Sequence, residues 1–171
     1  WWLNWFDGRS ESALAQWRGL CQGRDVNALM TAGQLINWGM PALAADMLNA
    51  LDCQRTLPLY LQASLLPKAE RGELVAKAID AFPQFVRFPN TLEEVAALES
   101  IEECWFARHL LACFYYNKRS YGKAIALWQR CVEMSPEFAD GWRGLAIHAW
   151  NKQHDYELAA RYLDNAYQLA P

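Results

Sequence analysis

Residues 103–136 read ECWFARHLLACFYYNKRSYGKAIALWQRCVEMSP, and residues 137–171 read EFADGWRGLAIHAWNKQHDYELAARYLDNAYQLAP. Laid over one another, the two stretches repeat. Arg108, Leu111, Ala112 and Tyr115 recur 34 residues later as Trp142, Leu145, Ala146 and Ala149. Tyr121, Ala124, Trp128, Cys131 and Pro136 recur 35 residues later as Tyr156, Ala159, Leu163, Ala166 and Pro171. The one-residue slip falls in the polar stretch Asn151-Lys152-Gln153-His154, which reads as a turn, where a pair of packed helices tolerates an insertion. A unit of this length is one helix–turn–helix that cannot bury its apolar face alone and must stack on its neighbours.

Upstream, the same apolar interval of four then three residues returns as Ala13, Trp17 and Leu20, as Ala44, Leu48 and Leu51, and as Leu74, Ala78 and Ala81. Ser10 and Asp25 read as N-caps, and Pro41 suits the first position of a helix, where its missing N–H costs nothing. Pro67 and Gly72 mark a turn region. Residues 83–89 carry two prolines and no helical period, so they read as an extended connector. Thr91-Leu92-Glu93-Glu94 and Ser100-Ile101-Glu102-Glu103 each match a capping box and would start separate helices. The final helix A is expected from Pro136 to Trp150. No alternating β-branched segment occurs, so the chain is expected to be all-α. It reads as a single repeat domain over 1–171: a truncated repeat (1–24), a repeat (25–56), a divergent helix pair (57–82), a connector with a short helix (83–102), and repeats at 103–138 and 139–171.

With 53% apolar residues the chain can bury a substantial core. Its net charge of −3, with Lys and Arg scattered, opposes nucleic acid as a partner. Five cysteines at unrelated spacings fit a reducing compartment, and a cytoplasmic location is expected. No apolar run approaches the ~18 residues of a membrane span, so no membrane partner is expected. The start at Trp1-Trp2 reads as an internal fragment, with Trp1 to Phe6 left as an exposed apolar surface through which a cut solenoid could self-associate.

The residues of the two copies resemble the tetratricopeptide repeat family. That pattern has a bulky residue opening helix A, then Leu and a small residue; helix B opens with an aromatic and closes before Pro. Trp142, Leu145, Ala146, Ala149, Tyr156, Ala159, Leu163, Ala166 and Pro171 follow it, and Arg108 departs from it where an aromatic is usual. The resemblance implies an α-solenoid of stacked antiparallel helix pairs, wound as a right-handed superhelix. Phe88-Pro89-Asn90-Thr91-Leu92-Glu93-Glu94 and the paired Asn-Lys turns also resemble the repeat portions of large bacterial proteins.

The family's concave face, carried over position by position, implies a groove of Phe106, His109, Cys113, Tyr116 and Asn117 in one copy and Asp140, Arg143, Ile147, Trp150 and Asn151 in the next. His109, Cys113 and Ile147 replace polar groups, so the family's carboxylate clamp is not expected. The aromatic, mixed-polar surface suits a peptide; the alternative is that Phe106, Tyr116 and Trp150 pack against a neighbouring helix. Catalytic signals are poor. His109 and Cys113 could share a helix face, but no orienting carboxylate or oxyanion donor accompanies them. Two further ligands would be needed for zinc, so no metal and no cofactor are expected. Glu93-Glu94 and Glu102-Glu103 read as capping or solvated residues, and the nine glycines as isolated turn residues. The expected function is a non-enzymatic module that binds a protein, a peptide or another domain of its own polypeptide. The alternatives are a scaffolding segment of a larger, carbohydrate-related enzyme and an RNA-binding repeat, the latter opposed by the acidic balance.

Overall fold

The structure, a computed structural model, describes residues 10–21, 25–51, 55–81 and 87–169. The expectations for Trp1–Phe6, Cys53, residues 83–86 and Pro171 lie outside these residues, as do the cap side chains of Ser10 and Asp25. The described residues are all-α, and no strand occurs among them. Ten α-helices follow in order: α1 (Ser10–Cys21), α2 (Asp25–Asn37), α3 (Pro41–Ala50), α4 (Thr56–Ser64), α5 (Gly72–Asp80), α6 (Leu92–Glu99), α7 (Trp105–Asn117), α8 (Tyr121–Met134), α9 (Ala139–His148) and α10 (Tyr156–Leu169). Short turns join α2 to α3, α4 to α5, α7 to α8 and α9 to α10 as helix pairs. This is the helical-repeat fold that the 34- and 35-residue intervals require. No helix among the described residues is long and apolar enough to cross a membrane.

The helices gather into two compact units, residues 1–87 with 92–97, and residues 88–91 with 98–171. In the first unit, Ala13 and Trp17 are buried as expected, but Leu20 is exposed and Cys21 takes the inward place. The Trp17 Nε1–H donates to Met47 O at 3.3 Å and Arg18 Nε to Ala50 O at 2.6 Å, tying α1 to α3. Pro41 stands at the start of α3 with no N–H to lose. The turn at Pro67 becomes a 3-10 segment (Lys68–Glu70), and Gly72 opens α5 rather than lying in the turn. Arg71 closes this turn by donating to Leu66 O at 2.8 Å and Ser64 O at 3.3 Å. Glu94 is buried rather than solvated, and Glu93 is half-buried. Asn37 Nδ2 donates to Glu93 at 2.6 Å, the Glu93 stem packs over Gly33, and the buried Glu94 carboxylate pairs with Arg87 at 3.1 Å.

In the second unit, α7 and α8 form the antiparallel pair that the first repeat copy implies. The second capping box does not open α7: the helix starts at Trp105, with Cys104 extended at the N-cap position. The expected start at Pro136 also moves, to Ala139. Both shifts have one cause. Arg108 Nε and Nη2 donate to Glu102 O at 3.1 and 2.6 Å, and Trp142 Nε1 donates to Pro136 O at 2.8 Å. Each side chain folds back onto the carbonyl six residues before it, which holds that segment as a turn outside the helix. Arg108 therefore makes the same backbone contact as the aromatic it replaces.

The insertion between α9 and α10 is absorbed in the backbone. In the first copy Arg119 is left-handed (φ 61°) and Ser120 N–H donates to Tyr115 O at 2.9 Å, closing a Schellman-type turn. In the second, Ala149–Gln153 forms a π-turn, His154 is left-handed (φ 57°), and Asp155 N–H reaches Ala149 O at 3.1 Å. Tyr115 and Ala149 are equivalent, so the ring closes on the same acceptor with one more residue inside it.

The core of this unit joins Ala112, Ala124, Trp128, Val132 and Leu145, and Ala124 and Ala159 are fully buried. The closest approach lies at two glycines inside α9, not at turns. A Cβ on Gly144 would sit 2.3 Å from the Trp128 ring, and one on Gly141 would sit 2.8 Å from Val132. Only a residue without a side chain lets α9 lie against α8 there.

Candidate functional site

Helix α7 carries five of the ten expected groove residues, and it sorts them by depth. Phe106 and His109 are buried, so the groove expectation fails for these two side chains. Phe138, just before α9, turns back over them: its ring lies 6.1 Å from Phe106 and 4.9 Å edge-on from His109. Phe106 takes the packing alternative. Cys113 and Tyr116 are half-buried and Asn117 is exposed.

Beside α7 lies a cleft of roughly 400 Å³, lined by Phe88, Pro89, Asn90, Cys113, Phe114, Asn117 and Lys118. Its floor is apolar and its rim carries two carboxamides and one ammonium, with Lys118 Nζ 5.6 Å from the Phe114 ring centroid. Two expected residues, Cys113 and Asn117, are here. The family positions do not include Phe88, Pro89, Asn90, Phe114 and Lys118; the sequence signal for them is Pro89, which holds Phe88 extended so that it can lie beside a helix.

Chemically, His109 and Cys113 meet, with Nε2 and Sγ 3.6 Å apart. Burial lowers the imidazole to about 4, opposed by the nearby Asp140 carboxylate. Burial, reinforced by Asp140, pushes the Cys113 thiol up to about 12. At neutral pH both groups are uncharged, the reverse of an activated thiolate–imidazolium pair. Cys113 and Cys131 carry free thiols. No group of three or more metal-ligating side chains occurs among the described residues.

In the second copy, Asp140 is half-buried, while Arg143, Ile147, Trp150 and Asn151 are exposed. Arg143 pairs with Asp140 at 2.8 Å, which fixes its guanidinium along the helix. Trp150 lies edge-on to Tyr156 at 4.7 Å, and both rings face solvent. Tyr116 instead packs among Tyr121, Trp128 and His148, at 5.0, 5.3 and 6.1 Å.

No family model matches the chain. Among solved structures, one crystal structure of MamA is 15% identical over 97% of this chain and 91% of its own, with a TM-score of 0.46. A second crystal structure of MamA protein is 17% identical over 97% and 85%, with a TM-score of 0.42. At such values, function is argued from the residues of this chain.

Proposed function

We propose that this chain is a non-catalytic protein–protein interaction module that binds a peptide through the solvent-facing side of helix α7. The observation that carries this reading is the cleft along α7. It combines an apolar floor (Phe88, Pro89, Cys113, Phe114) with hydrogen-bonding groups at its edge (Asn90, Asn117, Lys118). An apolar anchor side chain fits such a floor while carboxamides pair with the amides of an extended main chain. The neutral state of His109 and Cys113 supports a binding role over nucleophilic chemistry. The net charge of −3 favours a protein partner over a polyanion.

The test is a phage-displayed peptide selection on the immobilised chain, followed by fluorescence anisotropy with Asn117→Ala/Phe88→Ala. Enriched peptides should lose about tenfold in affinity on the double variant. No enrichment, or unchanged affinity, removes the reading. Asn117 and Phe88 are exposed, so the variant should keep its melting temperature.

A further inference from the structure

In the first copy of the second unit, five side chains form one face covered by α9. Trp128 lies against Gly144 and Val132 against Gly141. Tyr116 and Tyr121 lie 6.1 and 5.9 Å from the His148 ring, and Cys113 feels the Asp140 carboxylate. The repeat places Ile147, Trp150, Tyr156, Leu163 and Tyr167 at the equivalent positions of the second copy. These are 47%, 54%, 54%, 47% and 83% exposed. On α10, Tyr156, Ala160, Leu163 and Tyr167 fall four, three and four apart, one continuous stripe.

We propose that this stripe docks one helix of a partner protein, an amphipathic helix with two small residues three apart and basic residues along one flank. The small residues follow from the interface already formed one repeat earlier. There, bulky residues four apart on α8 (Trp128, Val132) require glycines three apart on α9 (Gly141, Gly144). Leu163 and Tyr167 present the same four-residue spacing. The basic flank follows from charge. Glu157 and Asp164 border the stripe on its solvent side, with Arg161 a step further round. A second copy packed antiparallel on the same stripe would set these acids beside their own equivalents, and like charges there oppose association. The surface is separate from the cleft along α7 and does not depend on it.

The test uses the full chain and a fluorescein-labelled synthetic amphipathic peptide with glycines at i and i+3 and lysines on one flank. Two control peptides carry leucine for glycine or glutamate for lysine. Anisotropy should show binding by the lysine peptide, weakened at least about tenfold by either control and by Leu163→Arg or Tyr167→Ala in the protein. Both sites are exposed, so unchanged melting temperatures would confirm that the variants fold. Equal binding by the glutamate control, no binding by the lysine peptide, or unchanged affinity in Leu163→Arg overturns the proposal. So does a dimer in sedimentation that Leu163→Arg breaks, which would make the occupant a second copy.

Discussion

Helices α8 and α10 hold the same place in consecutive repeats, yet Trp128 is 4% exposed and Leu163 is 47% exposed. The difference does not lie in the helices, whose apolar residues share one spacing. It lies in α9, which has glycines where α8 has bulk and so covers it. Burial of a repeat position is therefore set by the neighbour that follows it, and stability in such a fold is a sum over interfaces.

Truncation at the two positions tests this most sharply. Trp128→Ala should cost about 3–5 kcal/mol in chemical unfolding of the full chain, because it empties a closed interface. Leu163→Ala should cost under about 0.5 kcal/mol, because the side chain already meets water. Equal losses would mean that the helix, not its cover, decides.

Acid offers a second contrast. His109 is buried, while its repeat equivalent, Arg143, is exposed. With its pKa lowered to about 4, the folded chain binds fewer protons than the unfolded chain up to the ordinary histidine value of about 6.5. The His109 contribution to stability is therefore full above about pH 6.5, falls as pH drops through this window and levels off below 4, a loss of about 3 kcal/mol. His148, also lowered by burial, adds in the same direction. Unfolding free energies measured from pH 7 to pH 4 should fall less steeply in His109→Gln than in the parent chain.

Glycines on the covering and covered helices should respond with opposite sign. Gly144→Ala pushes a methyl into the Trp128 ring and should cost about 1–3 kcal/mol. Gly122→Ala on α8 meets open space and should stabilise by about 0.5–1 kcal/mol, because alanine loses less backbone freedom. Thermal melts of the two variants should move in opposite directions. A last contrast concerns the caps. Asp155 Oδ1 accepts from Leu158 N–H at 2.9 Å, whereas Ser120, at the same place before α8, makes no side-chain cap bond. Asp155→Ala should cost about 1 kcal/mol and Ser120→Ala close to nothing, read by urea midpoints.

The fold could be read in the sequence because burying one face of each helix forces a period, and Ala124, Trp128 and Cys131 return at Ala159, Leu163 and Ala166 whatever the loops do. Helix starts were harder to read. Ser100 looks like a cap, but the backbone contact from Arg108 to Glu102 overrides it from six residues away. The candidate site was half readable. Family positions found Cys113 and Asn117, but Phe106 and His109 turn inward because Phe138, from the next repeat, folds over them. The interhelical glycines Gly141 and Gly144 read as turn residues in the sequence, since their role exists only once Trp128 and Val132 lie opposite.

The widened ring between Ala149 and Asp155 has a practical side. The chain there took in an extra residue while both flanking helices kept their partners, and its side chains from Trp150 to Asp155 stand in solvent. The bond between Lys152 and Gln153 is thus a natural splice point, at which a short epitope or reporter graft would leave the hairpin of α9 and α10 closed.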